Sequence, residues 1–174
     1  MKKCLVVVDY QNDFVDGSLG FEKAKDLDEN IANLIDLYHS NGDDVIFTLD
    51  THYENYMETS EGKNLPVPHC IKGTDGHNLY GKVSLSAKEN DLYFEKNTFG
   101  SDKLFSHLQS NEYSTIELVG VVTNICVISN AVIAKTAQPE TEIIVNKNLV
   151  ASNDDALNEE AINVMSSFQI KITE

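Results

Sequence analysis

Cys126 closes the run Gly120-Val121-Val122-Thr123-Asn124-Ile125-Cys126, where a strand-like stretch gives way to a helical one. A thiol about three residues into a helix meets unpaired backbone N–H groups and the positive end of the dipole, a setting that favours the thiolate. A thiol nucleophile also needs a base to take its proton, and an amide-type leaving group needs that proton returned. Asp9 and Lys96 close two other apolar runs and supply those types. Asp9 acts as a base near neutral pH only in a partly desolvated site that raises its pKa, with Lys96 as the compensating charge. Singly, Asp9 reads as a turn cap and Lys96 as a surface charge; together with Cys126 they read as a nucleophile and its partners. Cys4, inside an apolar run with no charged neighbour, reads as core.

Asp50, His52, Glu61 and His69 form a second constellation. Asp-x-His at a strand end puts both side chains on one side of an extended backbone, and a later His closes the shell. Nitrogen and oxygen donors in this mix suit one divalent ion, zinc first and iron or manganese next, with positions left for water or substrate. Glu54 and Glu58 compete with Glu61 for the fourth place.

The elements that must position these groups are short β-branched runs at Cys4–Val8, Val45–Leu49, Leu92–Phe94, Ile116–Val122, Glu142–Val145 and Gln169–Ile172. Helical patterns lie between most of them. Ile31, Leu34, Ile35 and Tyr38 share one face ending at Asn41-Gly42, and later helices are expected over Lys103–Gln109, Asn124–Thr136 and Asn158–Ser167. Continuous apolar strands alternating with helices predict a three-layer α/β/α domain over residues 1–174, with a mostly parallel, Rossmann-like sheet of about six strands. In such sheets ligands bind beyond the carboxyl ends of the strands, where Asp9, Asp50, Lys96 and Cys126 fall. The stretch from about 50 to 91 has no clear period, and a loop that long in a small domain is usually functional.

The chain has 174 residues, with 28 Asp+Glu against 13 Lys+Arg and a net charge of −15. That balance argues against nucleic-acid and anionic-membrane partners, which need clustered positive charge. Three widely spaced cysteines give no disulfide framework, and the apolar run after Met1-Lys2-Lys3 is too short for a signal segment or membrane span. A reducing, cytoplasmic setting is expected.

With these residues in hand, the sequence resembles the nicotinamidase/pyrazinamidase branch of the isochorismatase-like cysteine hydrolases. The likeness rests on Val7-Val8-Asp9-Tyr10-Gln11-Asn12-Asp13-Phe14, Asp50-Thr51-His52, Pro68-His69-Cys70 with Gly73-Thr74, Glu95-Lys96, and Gly120 to Val127, in that order along essentially the whole chain. It implies an Asp9–Lys96–Cys126 triad, a cis peptide at Val121–Val122, and an oxyanion hole from the Val122 and Cys126 N–H groups. It also implies a small carboxamide substrate such as nicotinamide, a thioester intermediate, a role in NAD salvage and a possible homo-oligomer. A metal-bound pyridine nitrogen would set the carboxamide over the thiol. The chain departs from the pattern in having no Trp to wall a pyridine pocket, leaving Phe14 with Tyr53, Tyr56 or Phe99, and in carrying Asn124 where many relatives have Asp. The alternatives are a relative acting on another amide, ureido or isochorismate-like compound, a metal-water hydrolase in which Cys126 is structural, and a non-catalytic small-molecule binder.

Overall fold

The computed structural model describes all 174 residues. Its centre is β1, Lys3–Val8, whose side chains alternate between two cores. Cys4, Val6 and Val8 enter one hydrophobic cluster, while Leu5 and Val7 enter the other. A strand buried on both faces has no polar side to show, so the run is continuously apolar. β2 (Asp44–Asp50), β3 (Leu92–Lys96), β4 (Thr115–Val121), β5 (Glu142–Ala151) and β6 (Lys171–Thr173) complete a six-stranded sheet in the order β3-β2-β1-β4-β5-β6. Every pairing is parallel.

One face is covered by α1 (Asn12–Val15), α2 (Glu22–Lys25), α3 (Asp28–Asn41) and α5 (Gly81–Ser86), through Phe14, Ala24, Ile31, Ile35 and Val83. The other is covered by α6 (Asp102–Ser110), α7 (Ile128–Ala137) and α8 (Asp155–Ser167), through Leu104, Leu108, Ala131, Ile162 and Met165. α3 stops at Gly42, whose φ of 73° is left-handed and whose N–H returns to the His39 carbonyl at 3.1 Å. At Gly120 a side chain is excluded, because a Cβ there would lie 2.2 Å from the Val8 carbonyl oxygen. The close approach of β4 to β1 therefore needs glycine.

Four sequence expectations change. Residues 50–91 are not structureless: they hold 3₁₀ turns at Tyr56–Glu58 and Asp75–His77, the short helix α4 (Ser60–Asn64) and α5. The helix expected over Asn124–Thr136 begins as a π turn, Thr123–Val127, with α7 only from Ile128. β5 runs on to Ala151, past a register shift opposite Leu118 and Gly120. β6 starts at Lys171, because Gln169 sits in a turn with φ of 64°. No helix is long and apolar enough to cross a membrane.

Candidate active site

In the sheet register Val8 pairs with both Thr48 and Gly120, and Asp50 pairs with Lys96. Asp9, Asp50, Lys96 and the Thr123–Val127 turn therefore reach one edge. The chain leaves β1 for β2 on one side, whereas β4 lies on the other, so a crevice opens between them at this switch point. Asp9 turns out of β1 with a left-handed φ of 46°, a conformation disfavoured for a residue with a Cβ and sustained by its surroundings. Those are the Thr48 carbonyl, which accepts the Asp9 N–H at 3.1 Å, and the Thr48 hydroxyl, which donates to Asp9 Oδ1 at 2.7 Å.

Lys96 links the reactive groups. Its Nζ lies 2.6 Å from Asp9 Oδ2, 3.6 Å from Cys126 Sγ and 3.4 Å from Asp50 Oδ1, and donates to the Thr98 carbonyl at 2.9 Å. Asp9 is fully buried, and Lys96 and Cys126 nearly so. Burial pushes the Asp9 carboxyl above the ordinary range, held back chiefly by the Lys96 charge. Burial pulls the Lys96 ammonium down, but Asp9, Cys126 and Asp50 together outweigh it and hold the ammonium charged. The Cys126 thiol is pushed well above its usual value by burial and the Asp9 carboxylate, against the opposing pull of Lys96. This corrects the expectation of a thiolate favoured by a helix start. The turn at Cys126 is a π turn, not a regular first helical turn, and burial there works against the thiolate. The three side chains thus set a thiol beside a carboxylate already paired with an ammonium.

Asp50, His52, Glu61 and His69 converge on the other side of Lys96, with one ligand atom from each lying within 4.8 Å of all the others. Both imidazole Nε2 atoms face Asp50 Oδ2, His52 at 3.0 Å and His69 at 3.2 Å, and both lie 3.6 Å from Glu61 Oε1. His69 Nδ1 donates to the Val67 carbonyl at 2.8 Å, which leaves Nε2 as the free donor for a metal. Two nitrogens and two carboxylate oxygens pointing at one spot fit a divalent ion. Glu61 comes from α4, started by the Thr59 hydroxyl accepting the Gly62 N–H; Glu54 and Glu58 are exposed and stand outside the group.

A cavity of about 190 Å³ adjoins Cys126, walled by Phe14, Leu19, Phe21, Leu65, Phe99, Val122 and Ile125 and lined also by Asp50, Glu61, His69 and the exposed Asn153. Of the aromatic candidates, Phe14 and Phe99 line it. Tyr56 instead packs edge-on against His52 and His69, with ring centroids 4.7 and 5.1 Å away, and Tyr53 lines an adjoining groove with His52, Tyr56 and Glu61. The Val121–Val122 peptide is cis, and the Val122 carbonyl accepts the Ile125 and Val127 N–H groups at 3.0 and 3.1 Å.

Sequence reasoning missed Asn130, fully buried on α7. Its Nδ2 donates to the Cys126 carbonyl at 2.8 Å and the Phe99 carbonyl at 3.1 Å, while its Oδ1 accepts the Ser101 N–H at 3.0 Å. It ties the cysteine turn to the loop after Lys96. A lone Asn on an otherwise apolar helical face was the available signal. Leu19, Phe21, Leu65 and Asn153 were also missed, since nothing local marks a loop residue as a cavity wall. Asn124 accepts the Ser152 hydroxyl at 2.7 Å, joining the cysteine turn to the end of β5.

The Isochorismatase domain model matches residues 3–174. PncA of Bacillus subtilis, an isochorismatase family protein, is 37% identical over 163 residues, covering 87% of each chain. Among solved structures, the nicotinamidase/pyrazinamidase PncA from Bacillus subtilis superposes with a TM-score of 0.89 at 31% identity over 100% of both chains. The pyrazinamidase/nicotinamidase from Streptococcus mutans gives 0.87 at 30% identity, covering 98% of this chain and 99% of that one. A six-stranded parallel sheet between two helical layers and a family match along nearly its whole length place the chain in one lineage: it belongs to the isochorismatase family.

Proposed function

We propose that the chain is a cysteine amidohydrolase that converts nicotinamide, or a close single-ring carboxamide, to the acid and ammonia. The observation that carries this reading is Lys96 Nζ set between Asp9 and Cys126, with Cys126 lining a small, mostly apolar cavity that Asp50, Glu61 and His69 of the two-histidine, two-carboxylate group also line. The similarity to nicotinamidases supports the choice of substrate.

Asp9, Lys96 and Cys126 then act as the triad. The Cys126 proton passes to Asp9 as Sγ bonds to the carboxamide carbon, and the carbonyl electrons move onto oxygen. The Val122 and Cys126 N–H groups hold that oxyanion. On collapse the C–N bond breaks, Asp9 returns its proton to the departing nitrogen, and ammonia leaves a thioester on Cys126. Asp9 next takes a proton from water, whose oxygen attacks the thioester, and the acid leaves as Sγ regains a proton. Lys96 stays charged throughout and balances Asp9, the thiolate and the oxyanion in turn.

The apolar walls, Phe14 and Phe99 among them, hold the ring and keep bulk water from competing. Asp50, His52, Glu61 and His69 would hold one divalent ion, with zinc proposed first and iron or manganese next, and bound there it would supply a Lewis-acidic position for a ring nitrogen. A cytoplasmic setting and a role in NAD salvage belong to the same reading. The test is ammonia release from a panel containing nicotinamide, pyrazinamide, benzamide and small ureido compounds. Turnover highest for the two ring-nitrogen amides supports the reading; turnover confined to ureido compounds, or absent throughout, overturns it.

A further inference from the structure

Two side chains of the segment between Asp9 and Phe14, Gln11 just before α1 and Asp13 within it, carry neither a triad role nor a ligand role, yet both are committed to the metal-side wall. Gln11 is fully buried. Its Oε1 accepts the Asp50 N–H at 2.8 Å, and its Nε2 donates to the Asp50 carbonyl at 2.9 Å and the His77 carbonyl at 2.8 Å. At this level β1 has already turned away through Asp9, so the main chain that would have paired with Asp50 is gone. One side-chain amide, with a donor and an acceptor side by side, replaces that lost strand partner. Asp50, the last residue of β2, is thereby bonded on its β1 side as well as paired with Lys96 of β3 on the other.

Asp13 does the corresponding work for the histidines. Its Oδ2 accepts the Cys70 N–H at 2.7 Å and its Oδ1 the Ser18 N–H at 3.3 Å. The carboxylate lies so close to Gly76 that a Cβ there would sit 2.0 Å from Oδ2, so the packing leaves no room for a side chain. Cys70 has a left-handed φ of 46°, which turns the chain directly after His69. The same residue's carbonyl accepts the His52 N–H at 3.0 Å, and the His52 carbonyl accepts the Lys72 N–H at 2.8 Å. Residues 69–72 therefore lie as a strap alongside His52, and Asp13 pins the strap at its bend.

We propose that Gln11 and Asp13 are positioning residues for the metal ligands, Gln11 fixing Asp50 and Asp13 fixing His69 together with His52. This rests on the metal reading of the site given above. Outer partners of this kind set metal affinity by about 10- to 100-fold, and here they act through the ligands' own backbone. The six residues from Asp9 to Phe14, a turn running into α1, would then carry the base Asp9, the cavity wall Phe14 and the supports of the metal group.

The experiment measures zinc dissociation constants for the full chain, stripped of metal and titrated with zinc against a chromophoric chelator, in wild type, Gln11→Met and Asp13→Asn. A cobalt titration reports ligand geometry through the visible absorption bands. Both variants should bind zinc about tenfold or more weakly, with altered cobalt bands, at a temperature where circular dichroism shows each fully folded. Asp13→Asn keeps shape, volume and one acceptor, so it carries the test alone where Gln11→Met does not fold. Zinc affinity within threefold of wild type and unchanged cobalt bands would overturn the proposal while leaving the metal reading intact. A wild type that binds neither ion would overturn both.

Discussion

Replacing Lys96 by methionine removes one charge from a fully buried cluster at little change in side-chain length. Asp9 Oδ2 then loses its 2.6 Å ion pair and keeps only the Thr48 hydroxyl, on its other oxygen. Breaking a buried pair by removing one partner costs about 3–5 kcal/mol near neutral pH, because the remaining charge is left desolvated. The pH dependence follows from the sign of the Asp9 shift. Burial already raises its carboxyl, and Lys96 is the largest opposing influence, so the variant's carboxyl rises further. Folded Asp9 then binds its proton at a pH where the unfolded chain has released it. The stability associated with that proton is fully present below the unfolded carboxylate range, and it is lost as pH rises through the raised folded value. Urea unfolding of wild type and Lys96→Met between pH 5 and pH 8 should show a stability gap that widens with pH. In parallel, the acid limb of kcat/KM should move to higher pH as turnover falls. A gap that stays constant across this range, or a pH–rate profile reduced in height but unshifted, would refute the role given to Lys96.

Cys126→Ala and Asp9→Asn should each lower turnover by about three or more orders of magnitude while circular dichroism stays unchanged; an alanine variant retaining about a tenth of wild-type kcat would exclude covalent catalysis. The His52→Ala, His69→Ala double variant should lose bound divalent metal, measured by elemental analysis after dialysis, and equal metal in both proteins would reject the site. Asn130→Leu strands the Ser101 N–H and the Cys126 and Phe99 carbonyls in an apolar setting at about 1–3 kcal/mol for each group left unsatisfied, so its thermal midpoint should fall and Cys126 alkylation by iodoacetamide should change rate. Wild-type values for both would show that the ties from Asn130 are dispensable.

Asp9, Asp50 and Lys96 were legible as partners because a parallel sheet brings strand ends together whatever their separation in sequence, and the apolar runs marked those ends. The layer order and the end of α3 at Gly42 followed from the same periodicity. The turn at Cys126 was not legible. Its defining bond, from the Val127 N–H to the Val122 carbonyl, spans five residues and leaves no distinct apolar period. The extension of β5 was hidden by Asn146, Lys147 and Asn148, polar residues at the register shift, before burial resumes at Leu149. Gln11, Asp13 and Asn130 escaped for a shared reason. A polar side chain that satisfies buried backbone groups looks, in one dimension, like any solvated residue.

Cysteine catalysis is tested most directly by mass spectrometry of the protein quenched in acid within milliseconds of mixing with excess nicotinamide. It predicts a covalent increment equal to the acyl group, located on the peptide containing Cys126 and absent from Cys126→Ala. If acylation is slower than hydrolysis, a carboxamide whose acyl group is hydrolysed slowly should replace nicotinamide and leave its own acyl increment on the same peptide. Steady ammonia release from an enzyme that carries no acyl group on Cys126 with any of these substrates would contradict cysteine catalysis and leave the metal group as the agent of hydrolysis.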